Sequence, residues 1–447
     1  MIPHKKSHSQ IGFFSSFEEL LDPKHPLFIL SNTINWQQFE VAFLPLYCAN
    51  NGRPAKAIRL MVGLLILKHL RNISDESVVE QWAENSYYQY FCGEKYFVPG
   101  VPCEASELVH FRNRIGKDGM ELIFKESIRI NGDDAQEEKI KVDTTVQEKN
   151  ITYPNDAKAH KKIIKKCLAI AQDECLPVRQ SYTRTIKKLS VDQRFRNHPK
   201  NKGKAFKADR KIKTIAGRLV RELERNLSTD NIYQNTLELY RKVLAQKRSD
   251  KNKIYSLHEP DVYCISKGKE HKKYEFGNKV SICVTENTGV IVGALSFGNP
   301  YDGHTLPSVI EQYENIFGKA PKEITADRGY RGKARIDDTQ INIPKPFTDK
   351  KMSKYKQDKC RMQFKRRAAI EPVIGHLKSD HRVARNFYKG IKGDSFNILL
   401  AASAFNFKRM INKWKKFFCV YFKNIFLPIK KLFEILNIIL NPRKFSF

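Results

Sequence analysis

Several features are missing from this sequence, and each absence narrows the field. The nine cysteines are scattered, no Cys-x-x-Cys pair occurs, and no His/Cys cluster has zinc-ligand spacing. A zinc-stapled or disulfide-framed module is therefore excluded, and the thiols are expected to be reduced and buried, as in a cytoplasmic protein. No run of 18 or more apolar residues exists, so no membrane span is expected. Met1 to Lys6 lacks the apolar core of a signal peptide, and a cytoplasmic, nucleoid-associated location is expected. No internal repeat or low-complexity block stands out, which argues against a solenoid. Acidic residues are also scarce relative to basic ones, 48 against 80, leaving a formal net charge of +32. So large a charge repels itself in a compact chain unless a polyanion compensates it. Nucleic acid is the first candidate and an anionic membrane surface the second.

What is present is enough chain for two or three domains: 447 residues, 41% of them hydrophobic. Residues 1–131 read as helical. From Arg53 to Arg71 apolar side chains recur every three and four residues, and Pro54 suits a first turn. Ser74 reads as an N-cap with Asp75 and Glu76 behind it, opening a helix through Trp82, a core residue, to Tyr90. Ser106 and Glu107 open another that passes Phe111, Arg112 and Arg114. Short helices with tight turns fit a DNA-binding unit of helix-turn-helix type, and Arg112 and Arg114 are candidate DNA contacts.

An acidic linker, 132–138, precedes a β-rich run at Lys139 to Val146. Residues 138–157 are expected to hold the first strand of a catalytic core, and 158–255 a basic helical insertion. Within the insertion, Arg194 to Lys213 carries nine Lys/Arg with Phe195 and Phe206, either a solvated face or a track for phosphates. The core resumes over 256–410. It has a hairpin of Tyr274 to Val284 and Val290 to Phe297, a helix over 305–317, a strand at Glu323 to Ala326, another at Ile341 to Pro344, and a helical stretch over 359–380. His304, ahead of the 305–317 helix, reads as part of a capping turn. Residues 411–447 form a basic amphipathic tail, read as a packing helix or oligomer contact, with membrane-surface binding as the alternative.

Three acids sit where this order of elements brings chemistry together. Asp143 lies in the first strand and Asp327 directly follows a later one; adjacent central strands would bring them close. Two neighbouring carboxylates repel unless a cation neutralises them, and a hard divalent ion, Mg²⁺ or Mn²⁺, is the natural partner for oxygen ligands. Two such ions bridging a phosphate would activate the attacking oxygen and stabilise the leaving one. The third acid, Glu371, shares a helix face with Phe364, Arg367 and Lys378, all within an arc of roughly 60°. Its carboxylate would complete the metal site while Arg367 and Lys378 grip phosphate oxygens. Pro372 disfavours helical angles at Glu371, so a kink or a restart of the helix is expected there. Arg328, beside Asp327, is a further candidate DNA contact.

These blocks resemble the DDE-class bacterial insertion-sequence transposases, in the superfamily named for insertion sequences four and five. Asp143-Thr144-Thr145-Val146 with Asn150 to Pro154 resembles the first block, Asp327-Arg328-Gly329-Tyr330 the second, and Arg367-x3-Glu371-x6-Lys378 the third. Phe364 stands where that family usually has tyrosine, which leaves it a packing or stacking role. Gly52-Arg53-Pro54 through Phe91-Cys92-Gly93, and Glu107 to Arg114, resemble the family's N-terminal domain. The likeness spans roughly residues 20 to 412. It implies an α/β catalytic core, a ribonuclease H-like mixed sheet interrupted by a helical insertion, behind an all-α N-terminal DNA-binding domain. It implies double-stranded DNA partners, namely terminal inverted repeats and target DNA. The reaction would be phosphodiester hydrolysis followed by strand transfer, by a homodimer or larger assembly. Alternatives are a nuclease of the same fold without strand transfer and a DNA-binding regulator without catalysis.

Overall fold

The computed structural model describes residues 15–48, 54–228, 232–247, 249–266, 272–343 and 353–440, with backbone alone at 359, 360, 363 and 417–440. Among the described residues the N-terminal part holds seven α-helices: α1 (Phe17–Leu20), α2 (Pro26–Thr33), α3 (Trp36–Phe43), α4 (Ile58–Arg71), α5 (Asp75–Glu84), α6 (Ser86–Phe91) and α7 (Ala105–Ile130). α4 begins at Ile58, four residues later than its proline suggested. Pro54, Ala55 and Ala57 are exposed, and Ile58 is the first side chain that burial can hold in a helix. Gly52 and Arg53 lie outside the described residues. Ser74 caps α5, its hydroxyl accepting the Ser77 N–H at 3.1 Å. The single helix expected through Tyr90 breaks at Asn85, whose side chain accepts the Tyr88 N–H and starts α6. α7 starts from a Glu104/Glu107 capping box rather than from Ser106, and bends at Gly116, where φ is +62°.

A mixed seven-stranded sheet follows: β1 (Lys139–Glu148), β2 (Tyr263–Ser266), β3 (Tyr274–Thr285), β4 (Ile291–Phe297), β5 (Glu323–Thr325), β6 (Arg335–Ile336) and β7 (Thr339–Asn342). The order is β2-β3-β1-β5-β7-β6, and β4 pairs with β3 on the edge that β2 also uses. β1 is antiparallel to β3 and parallel to β5. The expected hairpin is β3–β4, turned at Gly289 with φ +70°. β2 and β6 went unforeseen because pieces of four and two residues carry no readable alternation. The strand expected at Ile341 starts two residues earlier, and its expected end, Pro344, lies outside the described residues. Gly277 is obligatory, because a Cβ there would stand 2.0 Å from the Gln147 carbonyl oxygen.

Among the described residues four helices interrupt the sheet between β1 and β2: α8 (Asp156–Asp173), α9 (Thr183–Asp192), α10 (Pro199–Asn226) and α11 (Gln234–Ala245). They bury their own cluster, including Ile163, Ile212, Leu219 and Tyr240. Among the described residues a second, larger hydrophobic core runs from Leu27 of α2 through α4, α7 and the sheet to Ile411. The described N-terminal helices from α2 onward thus share the sheet's core rather than packing on one of their own. Later helices are α12 (Leu306–Phe317), α13 (Lys354–Ala368), α14 (Ile370–Asp380) and α15 (Gly390–Leu440). No boundary appears in α15 at 411, where Phe407 and Ile411 still bury. Cys92, Cys103, Cys167 and Cys283 are buried, whereas Cys48 and Cys175 are exposed, so burial of all the thiols does not hold. No described helix is long and apolar enough to cross a membrane.

Candidate functional site

The parallel ladder between β1 and β5 aligns Lys141 with Thr325. Two residues further on stand Asp143, still within β1, and Asp327, just past the end of β5. Side chains alternate with period two, so the two positions are level and on the same face of neighbouring strands. Asp143 is half-buried, and its Oδ1 accepts the Thr144 N–H at 2.8 Å. Asp327 follows the end of β5, where Ala326 N–H still bonds the Asn342 carbonyl of β7 at 3.0 Å. Its Oδ1 accepts the Gly329 N–H at 2.7 Å, capping a 3-10 turn, Arg328–Tyr330.

That turn also brings a fourth acid to the site. A Cβ on Gly329 would meet Asp327 Oδ1 at 2.9 Å and Asp302 Oδ2 at 3.0 Å, so both carboxylates border one small space. Asp302 Oδ1 accepts a bond from Lys279 Nζ at 2.9 Å. The buried Tyr330 hydroxyl is pushed well above its usual pKa, by burial first and then by the charges of Asp143 and Asp302. Tyr330 thus stays protonated between two acids. Sequence reading passed over Asp302 because its neighbourhood, Tyr301 to Thr305, reads as a helix-capping turn. That reading is correct for the backbone, since His304 N–H bonds Tyr301 O at 3.0 Å. Its partner Lys279 lies 23 residues away in β3, so no local signal was available.

Glu371 lies on a helix that packs against β1. α13 stops at Ala368 and α14 restarts at Ile370, so the break falls at Ala369, two residues before Glu371, and Pro372 occupies the first turn of α14, where it costs no backbone bond. Ile370, Val373 and Leu377 bury one face of α14. The segment runs alongside β1. At one end Arg366 pairs at 3.7 Å with Glu286, whose N–H bonds Lys139 O; at the other Asn386 N–H bonds Glu148 O at 2.7 Å. Glu371 itself is 59% exposed and bonds Arg367 at 3.0 Å. Arg367 also lies over the Phe364 ring at 5.4 Å, which gives Phe364 the stacking role left to it.

The remaining candidates divide by burial. Arg328 and Arg114 are exposed, with Arg114 over the Tyr47 ring at 4.3 Å; Lys378 is half-buried. Arg112 does not fit a DNA contact. It is 4% exposed, bonds both Asp75 oxygens at 2.8 and 2.9 Å, and lies 4.4 Å from the Tyr388 ring centre. Burial pushes the Asp75 carboxyl up, but Arg112 and Lys68 more than offset this and hold it below its ordinary value. Arg112 is thus the neutralising partner of a buried acid.

Comparison with known proteins fits this arrangement at both ends of the chain. Residues 15–114 match the family described as Transposase domain (DUF772), and residues 256–407 match Transposase DDE domain. An uncharacterised Rhizobium meliloti protein, ORF8 in the nfe locus, is 38% identical over 204 residues, covering 44% of this chain and 98% of the relative. The chain belongs to the DDE transposase family. No solved structure matches it. The DDE match begins after β1 and the insertion, so it takes in Asp302, Asp327, Arg367, Glu371 and Lys378, while Asp143 joins them only through strand pairing.

The donor chemistry of this transposase site suits a hard divalent cation in part. Asp143 and Asp327 offer carboxylate oxygens from aligned positions. Among the described residues no three His, Cys, Asp or Glu side chains are grouped closely enough to hold an ion, and Glu371 bonds Arg367.

Proposed function

We propose that this protein is a DNA transposase that cuts the ends of its element and joins them to target DNA, with Asp143, Asp327 and Glu371 as its acids. The observation that carries the reading is the register of β1 against β5, which sets Asp143 and Asp327 side by side. The strand order around them supports a ribonuclease H-like core, with residues 158–255 as its insertion and 1–131 as the part that recognises terminal inverted repeats. Paired DNA ends call for a homodimer or larger assembly.

Asp143 and Asp327 would hold Mg²⁺ or Mn²⁺, two ions in the fully assembled site. A bound divalent cation there supplies charge neutralisation at the phosphate and makes water or a 3′-hydroxyl a better nucleophile. Glu371 exchanges its bond to Arg367 for a place in the acidic set. That exchange frees the Arg367 guanidinium for a phosphate oxygen, which it can bind through two N–H groups. Lys378 and Arg328 flank the scissile phosphate, and Arg114 reaches DNA from the N-terminal helices. Asp302, fixed by Lys279, steadies the Asp327–Tyr330 turn and so acts as a positioning residue.

A labelled duplex carrying the DNA that flanks the gene tests this. With Mg²⁺ or Mn²⁺ the wild type should nick at the element's ends, and a pre-cut 3′-end should be joined to target. Asp327→Asn should bind the same duplex within about two-fold yet cut at least 10³-fold more slowly, because an amide replaces a ligand oxygen. Binding by both proteins with cutting by neither, under either metal, would overturn the catalytic assignment in favour of a DNA-binding regulator.

A further inference from the structure

The insertion carries a charged surface that the acidic centre does not use. α10 is 28 residues long and holds ten lysines and arginines against three acids. Those acids are engaged with residues outside the helix. Asp209 takes two bonds from Arg196 at 2.9 Å, Glu224 is bound by Arg241 of α11, and Glu222 accepts the Arg179 N–H at 3.1 Å. The helix's own cations are left largely uncompensated.

Those cations are ordered. Ile212, Ile215, Leu219 and Leu223 bury one face of α10 in the insertion's core. About a third of a turn round from that face Lys200, Lys207, Lys211, Arg218 and Arg225 follow one another at intervals of seven, four, seven and seven residues. At about 100° per residue all five fall within an arc of about 40°. All are exposed. Lys200, Lys207 and Lys211 form no ion pair among the described residues. Arg218 is braced by its bond to the Tyr182 hydroxyl at 3.1 Å, which fixes its position without neutralising it. At 1.5 Å per residue the row is about 37 Å long.

A straight, rigid row of one sign, on a helix whose apolar face is already buried, repels itself unless a comparably stiff polyanion lies against it. One turn of duplex DNA spans about 34–36 Å, and its phosphates are the anions in reach. An anionic membrane fits less well, since an interfacial helix must insert an exposed apolar face and α10 has spent its own on the insertion core. We propose that this stripe is a second, sequence-independent contact to duplex DNA, distinct from the acidic centre and gripping the backbone over about one helical turn. The inference rests on the reading that the protein acts on DNA.

The test uses the full chain and a duplex of unrelated sequence, with affinity measured across a range of salt concentrations. The variant is Lys207→Gln/Lys211→Gln/Arg225→Gln. Each lost phosphate contact should lower the slope of log affinity against log salt by about 0.9. The triple variant is thus expected to be shallower by two to three units and at least ten-fold weaker at moderate salt. Lys207→Arg/Lys211→Arg should retain wild-type slope, and an unchanged melting temperature would show that the glutamine variant folds. Wild-type slope and affinity in the folded glutamine variant would overturn the stripe while leaving the transposase reading standing. A wild type that binds no duplex would overturn both. Binding to phosphatidylserine vesicles in place of duplex, lost in the same variant, would make the surface a membrane contact and overturn the proposal.

Discussion

The sheet with its N-terminal helices and the helical insertion are built on opposite plans. The first sets its acids on strand and helix positions backed by a core that runs from Leu27 to Ile411. The second buries a small cluster of its own and turns an uncompensated row of cations outward. Acids that must stay level to within a side chain's reach need a scaffold that cannot yield, and a continuous core provides it. Phosphate contacts that follow a groove tolerate movement, and a helix bundle attached at two points suffices. Precision and charge are thus assigned to different parts of one chain.

The comparison can be broken most severely at its acidic centre. Asp143→Asn should reduce strand cleavage at least 10³-fold with duplex affinity nearly unchanged, measured on the same labelled duplex; a comparable loss of affinity would mean that the acids and the stripe are not separate. Next in size is Gly277→Ala, which forces a methyl group onto the Gln147 carbonyl at the β1–β3 ladder. A loss of about 3–5 kcal/mol is expected in denaturant titration, carried by the core's transition.

Arg112→Ala sharpens the contrast further. It strips Asp75 of its bidentate partner and should cost roughly 3–5 kcal/mol in the same transition. Retained stability with weakened DNA binding would restore Arg112 as a DNA contact. Leu219→Ala removes a fully buried side chain from the insertion and should cost about 2–5 kcal/mol. Hydrogen exchange should then quicken in α8 and α10 while β1 and β3 stay protected. If β1 loosens equally, the two cores are one cooperative unit.

The smallest effect concerns pH. Burial pushes the His381 pKa down to about 4, against the His69 carbonyl bond that raises it. The folded state therefore binds the proton less readily than the unfolded chain, whose histidine titrates near 6.5. The stability this implies is complete above about pH 6.5 and is lost as pH falls toward 4. Unfolding midpoints measured at pH 7 and pH 4.5 should differ less in His381→Asn than in wild type.

Some of this was legible in advance for identifiable reasons. α4, the β3–β4 hairpin and the Ser74 cap rest on local periodicity and capping, which neighbouring residues settle among themselves. Glu371 and Arg367 were placed on one face because helical spacing survives the break at Ala369. The errors lie where long-range packing decides. Arg112 looked like any surface arginine in a basic helix until Asp75 of α5 and Tyr388 closed over it. Asp302 looked like part of a cap until the Arg328–Tyr330 turn carried Asp327 against it.

The sequence by itself determined the charge that calls for a polyanion, the order of the elements, and the three acids of the family pattern. Residue type and spacing along the chain suffice for these. Tertiary structure alone decided that Asp143 and Asp327 are level, that the N-terminal helices share the sheet's core, and that α10 presents its cations as one uncompensated row. Each of those depends on which distant segments meet, through strand register, shared burial and the diversion of nearby acids to other partners, and no local pattern encodes that.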